Sequence, residues 1–149
     1  MTLKAKEIIN LKGNEKWLLN TIRNNYKKTY RTNEELRNGA LIITIYSETT
    51  ENHICISFDK EDLVVEIGES IHSHPLEEEL VEYINKIVNG EILIWKVTRL
   101  DGYCYSGSYS ITEYNSNKSM VDEPDLDIEK GEKIIKSTFL KLIKDTFVD

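Results

Sequence analysis

The chain has 149 residues, 40% of them hydrophobic, enough to build one compact core, and we read residues 1–149 as a single domain. A formal net charge of −7 repels phosphate backbones, so nucleic acid is a poor partner and a basic protein a better one. No run approaches the roughly 20 apolar residues of a membrane span, the N-terminal MTLKAKEIINLKGNEKW has no signal-like apolar run, and the two cysteines, Cys55 and Cys104, suit a reducing cytoplasm.

In chain order, KAKEIINLK forms a short turn that Gly13 separates from a helix in GNEKWLLNTIRNNYKKTYR, where Trp17, Leu18, Ile22 and Tyr26 fall at helical spacing. Thr32 and Glu35 have capping-box spacing, which predicts a short helix stopped by Gly39. The period then changes to two. ALIITIYSE, HICISF and LVVEIG read as strands joined by TTEN and DKED. Turning at DKED sets Phe58 against Leu63, Ile56 against Val65 and Ile54 against Ile67, all apolar and on one face. The same register places Glu66 beside Cys55.

LEEELVEYINKIVNG reads as a helix that buries Leu80, Val81, Ile84, Ile87 and Val88. Glu77, Glu78 and Glu79 occupy its first turn, where the helix dipole favours negative charge, and Asn89-Gly90 stops it. EILIWKVTRLDGYCYSGSYSIT reads as a hairpin about Asp101-Gly102. A two-residue turn there pairs Leu100 with Tyr103, Thr98 with Tyr105, Ile94 with Tyr109 and Ile92 with Ile111. NSNKSMVDEPDLDIEKGE is a polar, acidic loop, and EKIIKSTFLKLIKDTF reads as a closing helix with Ile134, Ile135, Phe139, Leu142 and Ile143 in the core. The order is α-βββ-α-ββ-α. The class is α+β: an antiparallel sheet of about five strands with helices packed mainly on one face.

Residues 68 to 79, GESIHSHPLEEE, raise the question of metal. Alternate residues of a strand share a face, so His72 and His74 could chelate one ion, and His53, Cys55 and Glu66 could complete a site for metal binding or hydrolysis. His72-Ser73-His74-Pro75 resembles the core of JAMM-type zinc isopeptidases. That resemblance would imply a serine eight residues after the second histidine and a zinc-binding aspartate eleven after. Glu82 and Asn85 stand there instead, so the likeness stops at four residues. As a structural element the stretch reads more simply: Gly68 ends a strand, Ser73 or His74 caps the next helix, and Pro75 fits its first turn.

No phosphate loop or G-x-S-x-G elbow occurs, so we expect neither catalysis nor a cofactor. Cys55 lies mid-strand between Ile54 and Ile56, where thiols are inert. Tyr103, Tyr105 and Tyr109 project to one face of the hairpin, with Tyr109 expected in the core and Tyr103 and Tyr105 exposed near the turn.

The stretch ISFDKEDLVVEIGESIHSHP, followed by an amphipathic helix and a hairpin ending GSYSI, is similar to small immunity proteins of bacterial polymorphic or contact-dependent toxin systems, over residues 40 to 112. The resemblance implies a cytoplasmic protein that occludes the active cleft of a cognate basic toxin of nuclease type. The contact residues it suggests are Glu77, Glu78, Glu79, Tyr103, Tyr105, Asp122, Glu123, Asp125 and Asp127. A phage or regulatory adaptor would use the same surfaces.

Overall fold

The structure is a computed structural model that describes residues 1–68, 71–116 and 124–143. Asp122 and Glu123 lie outside the described residues. The α+β class is realised, among these residues, as four α-helices and two antiparallel sheets. The chain forms two compact units, Met1–Ile84 and Asn85–Asp149.

The first unit opens with helices α1 (Ala5–Ile8) and α2 (Gly13–Asn25). A five-stranded meander follows: β1 (Arg31–Arg37), β2 (Ala40–Tyr46), β3 (His53–Asp59), β4 (Asp62–Ile67) and β5 (Ile71–Ser73), paired in chain order. The predicted β3–β4 register holds throughout, with Phe58 opposite Leu63, Ile56 opposite Val65, Ile54 opposite Ile67 and Cys55 opposite Glu66.

One expectation here is corrected. Residues 32 to 39 form no helix; Thr32 and Glu35 belong to strand β1. The chain reverses at Asn38-Gly39, both at positive φ (52° and 79°), and Arg37 pairs with Ala40. Two left-handed residues between paired strands make a primed two-residue turn, the geometry that matches strand twist. That signal outweighs the capping-box spacing.

The row Glu34, Ile43, Ile56, Val65, Ser73 runs across all five strands on one face. Arg23 of α2 reaches Glu34 on this row, with Nε donating to Oε2 at 2.8 Å, so α2 lies over this face. Leu18, Leu19 and Ile22 of α2, and Ile43, Ile45, Ile54, Ile56 and Ile67 of the sheet, are all 2% exposed or less. Burying one such aliphatic side chain contributes about 1.5–3 kcal/mol. Glu15 adds a polar tie: it is buried, and its carboxylate accepts the Lys12 amide at 3.1 Å and the Leu41 amide at 2.8 Å. It thereby satisfies a donor at the start of α2 and fixes the start of β2.

The helix start after β5 also differs from expectation. Ser73 ends strand β5 and shares a hydrogen bond with the Tyr83 hydroxyl, so it is no cap. A 3-10 turn, Glu77–Glu79, with Leu76 at its N-terminal boundary, leads into α3 (Leu80–Val88). Leu80, Ile84, Ile87 and Val88 are buried as predicted, and Val81 is half-buried.

The second unit holds a four-stranded sheet of order β7-β6-β8-β9, from β6 (Ile92–Thr98), β7 (Cys104–Ser110), β8 (Lys133–Ser137) and β9 (Leu142–Ile143). Here the sequence misleads twice. The closing segment from 132 is no helix over its described residues; it alternates as strand, with Ile134 packed on the core and Ile135 55% exposed. Of the five expected core residues Phe139 alone is fully buried, and Leu142 is exposed. The hairpin register is also shifted by one: Thr98 faces Cys104, Val97 faces Tyr105 and Ile92 faces Ser110, while Ile111 starts helix α4 (Ile111–Ser116). The loop has three residues rather than two. The Gly102 amide donates to Arg99 O at 3.1 Å, the Arg99 amide donates to Tyr103 O at 2.9 Å, and Gly102 sits at φ 89°. This is a turn with an added left-handed glycine, and the extra residue moves every later pairing by one. Leu93, Trp95, Val97, Tyr109 and Tyr114 form the core as a result, with Tyr114 of α4 stacked on Tyr109 at 5.3 Å.

Candidate functional site

The chemistry-bearing residues of the sequence fall into three places. The first is the open face of the five-stranded sheet, where Thr44, Cys55, Glu66 and His72 form one cross-strand row. Cys55 Sγ lies 3.5 Å from Thr44 Oγ1, and His72 Nδ1 lies 3.3 Å from Glu66 Oε1. Burial pushes the Cys55 thiol up, opposed by the Thr44 bond and aided by the negative charge of Glu66. A thiol so placed stays protonated at neutral pH, which works against nucleophilic use. His53 stands one row away with its Nδ1 3.4 Å from Glu51 O, and His74 is exposed beyond β5. Among the described residues no group of three or more His, Cys, Asp or Glu is placed to hold a metal ion.

The second place is the Glu77–Glu79 turn of the first unit. All three glutamates are exposed, and Glu79 Oε1 accepts the Leu76 amide at 3.2 Å.

The third, in the second unit, is the β6–β7 hairpin tip together with the loop from 124 to 132, and here the sequence missed the organising residue. Glu132 is an acid in a polar stretch with no motif around it. Its side chain is only 2% exposed and accepts from three directions: the Asp127 amide at 2.8 Å, Arg99 Nε at 3.0 Å and the Tyr105 hydroxyl at 3.2 Å. The Asp127 amide first, then Arg99 and Tyr105, hold its carboxyl below the usual glutamate range, against the opposing effect of burial. The Tyr105 hydroxyl is pushed up by burial and by the Glu132 charge.

Asp127 closes the loop from its other side. Its carboxylate accepts the Glu129 and Lys130 amides at 3.1 and 3.3 Å, its carbonyl accepts the Glu132 amide at 3.2 Å, and Lys130 Nζ lies 3.8 Å from Oδ2. Gly131, at φ 68°, turns the chain out of the 3-10 segment Ile128–Lys130.

Above Glu132 the Arg99 guanidinium lies over the Tyr103 ring, 4.7 Å to its centroid, and Tyr103 and Tyr105 are 6.1 Å apart. Trp95 supports Tyr105 from below, edge-on at 5.8 Å. Tyr103 is 55% exposed, as expected of a contact residue, whereas Tyr105 is half-buried and spends its hydroxyl on Glu132. Asp125 is exposed and Asp127 half-buried.

The hairpin tip offers an exposed Tyr103 on a hydrogen-bonded pair of loops that also carry the exposed carboxylates Asp101 and Asp125. No family model, no curated protein and no solved structure matches the chain. Among the described residues no helix is long and apolar enough to cross a membrane.

Proposed function

We propose that the chain is a binding protein that acts by occlusion, and that its partner is a basic bacterial toxin of nuclease type whose active cleft it covers in the cytoplasm. The observation that carries this reading is the projection built on Glu132, whose bonds to Arg99, Tyr105 and the Asp127 amide tie together the two loops that carry Tyr103 and neighbouring apolar side chains. Binding costs less when the contact surface is already ordered, and exposed tyrosines on rigid elements are recurrent anchors of protein interfaces. The net charge of −7 supports the choice of partner. An acidic inhibitor is steered to a cleft lined with the lysines and arginines that a nuclease needs for its substrate. Glu77, Glu78 and Glu79 supply part of that field, as do Asp125 and Asp127.

The test is co-expression with each of the proteins encoded by the neighbouring genes, among which the reading expects a basic toxin. Growth rescue and a stoichiometric complex are expected, with an association rate that falls steeply as salt rises. Absence of both rescue and complex contradicts the reading.

A further inference from the structure

Leu100 and Ile128 are the most exposed large apolar side chains of the described residues, at 85% and 86%. A single exposed leucine calls for no explanation. These two, however, sit on two loops that are joined by the same buried carboxylate. Glu132 ties Arg99, next to Leu100, to Asp127, next to Ile128. The loops also meet directly: the Leu100 amide donates to Lys130 O at 3.4 Å, and the Leu100 side chain rests on Gly131. A Cβ at residue 131 would stand 2.5 Å from Leu100 Cγ, so only glycine allows this placement.

The charges around the two side chains are unbalanced. Arg99 is engaged by Glu132 and Lys130 by Asp127. Asp101, Asp125 and Glu129 are exposed. Two apolar side chains on loops that expose Asp101, Asp125 and Glu129 against the exposed Lys133 beside them fit an apolar pocket whose mouth carries lysine or arginine.

We propose that Leu100 and Ile128 are the apolar anchor of the interface, that they enter such a pocket on the basic partner, and that Glu132 is the positioning residue that holds both loops in the binding shape. This rests on the reading given under Proposed function and deepens it. Tyr103 then flanks the anchor, and Tyr105 serves as an internal strut rather than a contact.

The experiment measures the affinity of the full chain for the basic nuclease-type toxin found among the products of its neighbouring genes, in wild type and in five variants: Leu100→Asp, Ile128→Asp, Glu132→Gln, Leu100→Asp with Glu132→Gln, and the charge reversal of Glu77, Glu78 and Glu79 to lysine. Both aspartate variants alter exposed side chains, so their melting temperatures should match wild type while affinity falls about thirtyfold or more, the loss expected of a central anchor. Glu132→Gln should weaken binding about tenfold through loss of loop order. Its further cost in the Leu100→Asp background should be clearly smaller than in wild type, because residues acting through one another are not additive. A merely structural Glu132 would instead give the same loss in both backgrounds.

Aspartate variants that bind within about twofold of wild type, while the charge reversal slows association, would overturn the anchor and leave the occlusion reading standing; the twofold bound lies well under the effect expected of an anchor. Wild-type protein that binds no toxin would overturn both.

Discussion

Gly107 lies in the middle of strand β7, opposite Trp95, and replacing it with alanine tests the packing beneath the hairpin tip. Gly107 is not held at positive φ, so alanine meets no backbone penalty there. On backbone grounds alone Gly107→Ala should stabilise by about 0.4–1 kcal/mol, because alanine has less freedom to lose on folding. The packing argues the other way. A Cβ at residue 107 would stand 2.4 Å from Trp95 Cζ2 and 2.7 Å from Cε2. Carbon atoms in contact sit about 3.5–4.0 Å apart, so the indole must retreat by about 1 Å. Trp95 is 7% exposed and packed among Leu93, Val97 and Tyr109, which leaves it little room. Overpacking of this kind costs about 1–3 kcal/mol, so the packing term wins and a net loss of about 0.5–2 kcal/mol is expected. The assay is urea unfolding, with a lower midpoint at unchanged slope. In a Trp95→Leu background the same glycine change should be neutral or stabilising. If Gly107→Ala is as stable as wild type in the wild-type background, the stacking of Trp95 on this glycine is wrong, and so is the support it gives Tyr105.

Three further outcomes follow from the same geometry. Glu34, with its side chain 3% exposed, holds Arg23 and the Leu3 amide, so Glu34→Ala should destabilise by about 2–4 kcal/mol in urea unfolding by leaving the guanidinium and the amide without their acceptor. Burial alone would raise its carboxyl, but Arg23, the Leu3 amide and Lys27 outweigh this and hold it below the ordinary 4.5. The difference between wild type and Glu34→Gln should therefore be full above that value and vanish as pH falls through the lower folded one. Burial, with Tyr30 nearby, pushes the Tyr26 hydroxyl up from 10.0 to about 12; the folded state thus keeps a proton the unfolded state loses, and stability should decline between those values as pH rises. Tyr26→Phe should flatten that decline, as read by absorbance titration beside alkaline unfolding. Ile56→Ala, at a site fully shielded in the middle of the sheet, should cost about 2–5 kcal/mol in urea unfolding.

The sequence was most legible where one face of a strand pair is wholly apolar. Ile54, Ile56 and Phe58 against Leu63, Val65 and Ile67 admit one register, because a slip by one residue would turn the core outward. It was least legible where local chemistry gives two consistent answers. Thr32 and Glu35 fit a capping box, yet the polar run Asn33-Glu34-Glu35 also fits a strand whose single inward acid is neutralised by Arg23 from a distant helix. No local pattern reveals that partner. The Asp101-Gly102 pair marked the turn but pointed to two loop residues where the chain has three, closed by the backbone bonds Gly102 N–H to Arg99 O and Arg99 N–H to Tyr103 O. The segment from Lys133 has apolar residues compatible with either period, and pairing with β6 selects the strand. Of the expected contact residues, Tyr103 stands exposed as its place near a turn suggested. Glu132, the centre of the tip, was invisible because its role exists only once Arg99, Tyr105 and Asp127 are brought to it.

Amide hydrogen exchange of the chain, free and mixed with the basic toxin sought among the products of its neighbouring genes, puts the proposed interface to its most direct trial. Strong new protection at residues 99 to 104 and 126 to 131, the two loops tied by Glu132, is the expected footprint. A complex that leaves both tip loops exchanging as in the free protein, with protection confined to the open face around Cys55 and His72, would contradict it.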